Sequence, residues 1–225
     1  MPGRGIILAT ENIYHVLNRG IASQPVFLDK RDYKRALEAM LFYQNIRPPL
    51  KYSMFLLQSR ERREVILKNL RQRRNFWVEI LAFCFMPNHF HILVRQSTNS
   101  GTSRFLSNFT NSYTRYFNTR HKRKGPLFQG KFKAVRIETD EQLLHVSRYI
   151  HLNPYSSYLV GNFDQLIDYP FSSLSEYLKE NETDRCQEEQ VLVGFKSRED
   201  YRRFMFDRAD YQRHLEEIKH LITEV

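Results

Sequence analysis

Hydrophobic positions along the chain recur with two periods, two and about 3.6, in short blocks that alternate from one end to the other. Residues 1–10 read as a loose leader. Glu11 to Arg19, centred on Ile13-Tyr14-His15-Val16-Leu17, reads as a first strand closed by Asn18-Arg19-Gly20. Val26-Phe27-Leu28 is a short extended piece. Asp29 or Asp32 then caps a helix in which Tyr33, Leu37, Met40 and Leu41 keep helical spacing, and Pro48-Pro49 closes it. From Lys51 to Asn75 a basic amphipathic segment gathers its apolar residues on one side among arginines, which suits a solvated helix and a DNA-contacting one equally. Phe76 to Val94 is β-rich and interrupted by Met86-Pro87-Asn88. It is either a hairpin or one strand kinked just ahead of His89.

The second half of the pattern is more helical. Thr102 or Ser103 opens a long helix to about His121, with Phe105, Leu106, Phe109, Tyr113, Tyr116 and Phe117 as an aromatic stripe and Gly125 as its C-cap glycine. Such a stripe is core packing more often than a base-stacking platform. Leu127 to Ile137 alternates apolar with polar and reads as one strand. Thr139-Asp140-Glu141-Gln142 is a capping-box pattern, and the helix it opens runs to Asn153, stopping before Pro154. Strand, helix, strands, helix is the order of an α+β domain with an antiparallel sheet. The character changes after Asn162. Phe171 to Leu174, Cys186 to Phe195 and Ser197 to Asp207 read as mainly helical, and residues 176–225 hold thirteen acids against nine bases. The expected organisation is a domain over residues 1–165 and an acidic, helical C-terminal extension over 166–225, packed against it without chemistry of its own.

Composition adds limits. Apolar residues make up 41% of the chain and aromatics 14%, enough for a proper core. The apolar run Ile80 to Met86 is too short to span a bilayer, and the first twenty residues lack a secretory pattern. The cysteines Cys84 and Cys186 build no disulfide framework. A cytoplasmic, nucleoid-associated protein without a membrane partner is expected.

Charge changes the picture more. The net charge is +10, and residues 80–137 contain ten basic residues and no acidic one, so this one block accounts for the whole excess. That confinement is the footprint of a nucleic-acid surface. Inside the block stand His89 and His91. On a strand they project to one face while Phe90, Ile92 and Val94 point into a core. Two imidazoles side by side can bind a divalent metal, or they can simply occupy the solvated face of a half-buried strand.

Three segments taken in order carry a family resemblance. They are Met86-Pro87-Asn88-His89-Phe90-His91-Ile92-Leu93, Gly125 to Lys133 with Pro126-Leu127-Phe128-Gln129-Gly130, and Arg148-Tyr149-Ile150-His151-Leu152-Asn153-Pro154. With Tyr14 to Gly20, Tyr169-Pro170-Phe171-Ser172-Ser173 and Gly194 to Tyr201, they resemble the single-tyrosine HUH transposases, in the branch of REP-associated tyrosine transposases. The likeness runs from about residue 12 to 210. Residues 48–76 depart from it and look like a basic insertion.

The resemblance implies a ferredoxin-like antiparallel sheet with helices, the HUH nuclease fold. It implies an enzyme that binds single-stranded DNA with hairpin or palindromic repeats, cuts it by tyrosine attack to give a 5′-phosphotyrosine, and rejoins it. By the same resemblance Tyr149 is the nucleophile, and His89, His91 and Asn153 hold Mg²⁺ or Mn²⁺. Tyr149 and Asn153 are four residues apart and share a helix face. A phenol is a weak nucleophile until its phenolate is favoured, and the ion and the basic surroundings are the available causes. His145 and His151 read as surface residues. Candidate DNA contacts are Arg19, Arg95, Arg115, Arg120, Lys122, Arg123, Lys124, Gln129, Lys131, Lys133 and Arg148, although a sheet strand explains Gln129 and Lys131 equally well. Monomer and homodimer are both open, as is whether the tyrosine helix serves its own chain or a partner's. Three rivals share parts of this pattern: a plasmid replication initiator or relaxase, a non-catalytic regulator derived from a transposase, and a metal-dependent RNA nuclease.

Overall fold

The structure is a computed structural model that describes residues 7–179, 185–207, 209 and 210. The first strand, β1, is Ile13–Arg19, followed by a 3-10 turn at Ile21–Ser23 and helix α1, Lys30–Tyr43. Asp29 is the N-cap, accepting from the backbone N–H groups of Arg31 and Asp32. The segment read as one basic amphipathic stretch is two helices, α2 (Tyr52–Leu56) and α3 (Arg60–Gln72). Ile66, Leu67 and Leu70 of α3 are buried, and Arg63 reaches both carboxylate oxygens of Glu38 on α1 at 2.7 Å. This segment is therefore pinned to α1 by an ion pair, in which one Arg63 nitrogen lies between the two Glu38 oxygens, as well as by its apolar face.

The run Phe76 to Val94 is a hairpin, β2 (Val78–Met86) and β3 (His89–Gln96). Its turn is held from outside. Pro87 O accepts from the N–H groups of Val26 and Phe27, and Asn88 O accepts from Gly20 N. Helix α4, Gly101–Arg120, starts earlier than the Thr102 or Ser103 expected. A Cβ at Gly101 would lie 2.1 Å from Trp77 O, so the first turn closes against that carbonyl only because position 101 has no side chain. The aromatic stripe is core: Phe105, Phe109 and Tyr113 are fully buried.

Two further boundaries move. The left-handed residue just after α4 is Lys122, with φ 51°, while Gly125, with φ +87°, lies further along the loop and is not the C-cap. The alternation from Leu127 to Ile137 yields only β4, Lys133–Ile137, preceded by an isolated bridge between Gly20 and Phe128. Gly130, at φ +52°, turns the chain between them and breaks the ladder.

Helix α5, Asp140–Ser156, is capped by Thr139, which accepts from Gln142 N, while Gln142 Oε1 accepts from Glu138 N. It runs through Pro154 rather than stopping before it. In the last turn a missing proline N–H removes only the bond to the carbonyl of Ile150, so the turn survives. Four short helices follow: α6 (Phe163–Ile167), α7 (Leu174–Leu178), α8 (Glu189–Leu192) and α9 (Arg198–Phe206). Cys186 to Phe195 is helical only at α8. The parts of the leader and of the C-terminal extension at residues 1–6, 180–184, 208 and 211–225 lie outside the described residues.

The four strands form an antiparallel sheet in the order β2-β3-β1-β4, the ferredoxin-like arrangement expected of the α+β class. The chain clusters into two compact units. One holds residues up to Glu79, Pro87–His89 and Val94–Arg136; the other holds Ile80–Met86, Phe90–Leu93 and residues from Ile137 onward. In the second unit the segment 169–173 straps β2. Phe85 N donates to Phe171 O, Tyr169 Oη donates to Phe85 O, and Ser173 Oγ accepts from Phe83 N. No helix among the described residues is long and apolar enough to cross a membrane.

Candidate active site

Strand β3 places His89 and His91 two residues apart on one face, as its pleat requires. His91 is buried, at 4% exposure, and His89 is half-buried. A chain of hydrogen bonds orients His89. Asn88 Nδ2 donates to Ser23 O at 3.1 Å, which fixes the amide so that its Oδ1 faces the His89 ring at 2.6 Å. That oxygen only accepts, so His89 Nδ1 carries the proton and Nε2 is the ring's lone-pair nitrogen. The neighbouring Asn88 was not singled out in the sequence, although it belongs to the same run as the histidines.

Helix α5 brings its tyrosine to the same strand. The rings of His91 and Tyr149 meet edge to face, with centroids 5.5 Å apart and planes at 88°. Asn153, 6% exposed, lies one turn on, and its Nδ2 donates to Tyr149 O at 3.4 Å. The amide is thus turned with its nitrogen to the helix backbone, leaving its carbonyl oxygen as the donor atom for a cation. Both partners of the His91–Tyr149 contact belong to one compact unit.

His151 differs from the expectation. It is not a surface residue but is wholly buried, with Nδ1 2.8 Å from Tyr201 Oη and Nε2 2.7 Å from Ser173 Oγ. Burial pulls its pKa down to about 3. His145 is half-exposed, as expected, and lies 2.8 Å from an Arg148 guanidinium nitrogen.

The candidate DNA contacts divide sharply. Arg95 is paired with Glu79 at 2.5 Å and with Glu11 at 3.4 Å. Arg120 spans Asp29 and the buried Asp32 at 2.6 and 2.5 Å. Arg148 is buried, donates to Phe204 O and lies over the Phe204 ring at 4.3 Å. Arg123 holds the loop after α4 through Asn118, Gly125 O and Pro126 O. These four are engaged inside the protein. Arg19, Arg115, Lys122, Lys124, Gln129, Lys131 and Lys133 are exposed. The backbone joins Arg19 to Gln129, whose N–H donates to Arg19 O at 2.8 Å.

Among the described residues, one group of three metal-type donors lies close together elsewhere, Glu176, Cys186 and Glu188. Arg185 takes the Glu176 carboxylate and Arg198 takes Glu188, so it is built as a buried ion-pair network.

Comparison with known proteins agrees with the motifs. No curated protein matches the sequence. A solved REP-associated tyrosine transposase bound to a REP hairpin shares the fold, with a TM-score of 0.50, 16% identity, and coverage of 78% of this chain and 84% of that one. The model of the family described as transposase IS200-like matches residues 46–153, a segment that contains His89, His91, Tyr149 and Asn153. Over that segment, just under half of its length, the chain is similar to the IS200-like transposase family.

Proposed function

We propose that this transposase cleaves and rejoins hairpin-forming single-stranded DNA through a covalent bond to Tyr149, in the manner of the REP-associated branch. The observation that carries the reading is the edge-to-face contact of Tyr149 with His91 at 5.5 Å, which sets a phenol beside an imidazole of the histidine pair. In the step, Tyr149 Oη gives up its proton and bonds to phosphorus, the P–O3′ bond breaks, and O3′ takes up one proton by way of solvent, so the upstream strand leaves with a 3′-OH. The downstream strand stays on the protein as a 5′-phosphotyrosine. Attack by a 3′-OH reverses the step, and no nucleotide cofactor is needed because the phosphodiester energy is conserved.

The donor set fits a divalent cation: two imidazoles and an amide carbonyl, from His89, His91 and Asn153, suit Mn²⁺ or Mg²⁺. Such an ion, when bound, neutralises phosphate charge and orients the phosphorus for in-line attack. His89 is presented through its Nε2 because Asn88 Oδ1 accepts the hydrogen bond from Nδ1–H. Asn88→Ala is expected to weaken Mn²⁺ affinity by about 10- to 100-fold, measured by calorimetry without DNA. Equal affinity in the variant would remove Asn88 from the site.

The basic exposed residues Arg19, Arg115, Lys122, Lys124, Lys131 and Lys133 supply the phosphate contacts in this reading. The test uses a hairpin oligonucleotide with single-stranded flanks, labelled at either end. A 3′ label should stay with the protein on a denaturing gel, a 5′ label should not, and excess chelator should prevent both cleavage and adduct. Cleavage of the RNA equivalent with equal yield, or cleavage without an adduct, would count against the proposal.

A further inference from the structure

The first compact unit contains a cavity of about 730 Å³ walled by α1, α2 and α4, and Lys51, Tyr52, Ser53 and Leu56 of the basic insertion form one side of it. Its lining carries five cations, Arg31, Arg35, Lys51, Arg115 and Arg120, and no acidic residue. Arg120 is spent on Asp29 and Asp32, whereas the other four have no ion-pair partner among the described residues. The Arg35 guanidinium sits between two tyrosine rings, 4.9 Å from the Tyr52 centroid and 5.0 Å from that of Tyr116. Its Nε is buried without a hydrogen-bond partner, and so is Tyr52 Oη, on a side chain only 7% exposed. Unmatched buried polar atoms are rare in folded proteins, and two of them at one cavity wall call for an explanation. Between the cations the wall offers the amides of Asn108 and Asn111 and the hydroxyls of Ser112 and Thr119.

This combination has one chemical match. Unpaired guanidinium and ammonium groups suit a phosphate, a tyrosine–arginine stack suits the face of a base, and amides and hydroxyls suit a base edge. A base held in a duplex offers neither its face nor its pairing edge. We infer that the cavity receives one unpaired nucleotide of the single strand flanking the hairpin, with Arg35 and its two tyrosines at the base and Arg31 and Lys51 at the phosphate. The inference rests on the reading of the protein as a single-strand DNA transposase, and it assigns the insertion a role in choosing flanked over blunt hairpins. The volume lies in the range of sites that enclose a ligand of nucleotide size.

Fluorescence anisotropy with a flanked and a blunt hairpin tests this on the full chain. Lys51→Gln and Arg31→Gln, both at exposed positions, should each weaken binding of the flanked hairpin by roughly 3- to 10-fold and lower its salt slope by about 0.7, with the blunt hairpin unaffected. Arg35→Gln should do the same and should also abolish photocrosslinking from a 5-iodouracil placed in the flank. Because Arg35 packs against two rings, its variant is read beside the two surface variants. Equal loss for both hairpins, or no loss for either, overturns the inference while leaving the transposase reading intact. Wild-type protein that binds neither DNA overturns both. Equilibrium dialysis with free dAMP separates the sources: saturable dAMP binding that Arg35→Gln removes, with flanked DNA unaffected, overturns strand recognition in favour of a free nucleotide.

Discussion

Replacing Tyr149 with phenylalanine is expected to abolish the covalent protein–DNA adduct and to lower strand cleavage by about 10³-fold or more, the scale of losing a nucleophile. The change removes one oxygen. The ring that meets His91 edge to face remains, so the docking of α5 on β3 and the affinity for hairpin DNA should be kept. The tyrosines of α4 are poor substitutes. Tyr113 is fully buried and its hydroxyl donates a hydrogen bond to Val26 O at 2.6 Å, and burial holds that hydroxyl well above the usual phenol range. Tyr116 donates to the Asp32 carboxylate at 3.0 Å, and burial first, then this bond, raises its pKa. An adduct of undiminished yield in Tyr149→Phe, seen on a denaturing gel and mapped by peptide mass, would sink the assignment. Loss of the adduct together with loss of DNA binding would point instead to a folding defect.

The histidine pair and the Tyr149–Asn153 spacing are legible in the chain itself, because both are local patterns. Alternation carries His89 and His91 to one face, and a four-residue step carries Tyr149 and Asn153 to another. The α+β class with an antiparallel sheet followed from the order of elements, and the ferredoxin-like arrangement from the family resemblance. What escaped reading is non-local. His151 sits two residues from Tyr149 and looks like one more polar residue on α5, yet Ser173 and Tyr201, 22 and 50 residues further on, close over it. No periodicity within α5 reports a partner in another element. Partners within the basic block were hidden in the same way. Arg95 and Arg120 stand in an acid-free stretch, but the fold supplies their acids from Glu11, Glu79, Asp29 and Asp32. β4 was overextended because alternation continues across Gly130, whose positive φ is a backbone property that a hydrophobic pattern does not register.

The buried histidine therefore carries the second large effect. His151→Ala should destabilise the protein by about 3–5 kcal/mol, since it empties a buried site and leaves Tyr201 Oη and Ser173 Oγ short of a partner. Ser173 also holds β2 through Phe83 N at 2.9 Å, so the loss should reach the strap as well as α5 and α9. A neutral imidazole matches the two hydroxyls, with one nitrogen donating and the other accepting. Desolvation accordingly lowers its pKa to about 3 from 6.5, and lowers that of the buried His15 to about 4. The sign follows from proton uptake. Below pH 6.5 the unfolded chain binds protons that the folded chain refuses, so stability is full above pH 6.5 and falls as pH drops towards those depressed values. Each histidine should contribute a slope of about 1.4 kcal/mol per pH unit within that window. His151→Gln keeps a donor and an acceptor but cannot titrate there. In urea unfolding between pH 6.5 and 4 it should lose one histidine's share of the acid slope and leave the share of His15. A variant with the wild-type slope would show that His151 is protonated in the folded protein, and the hydroxyl-matched neutral ring would have to be given up.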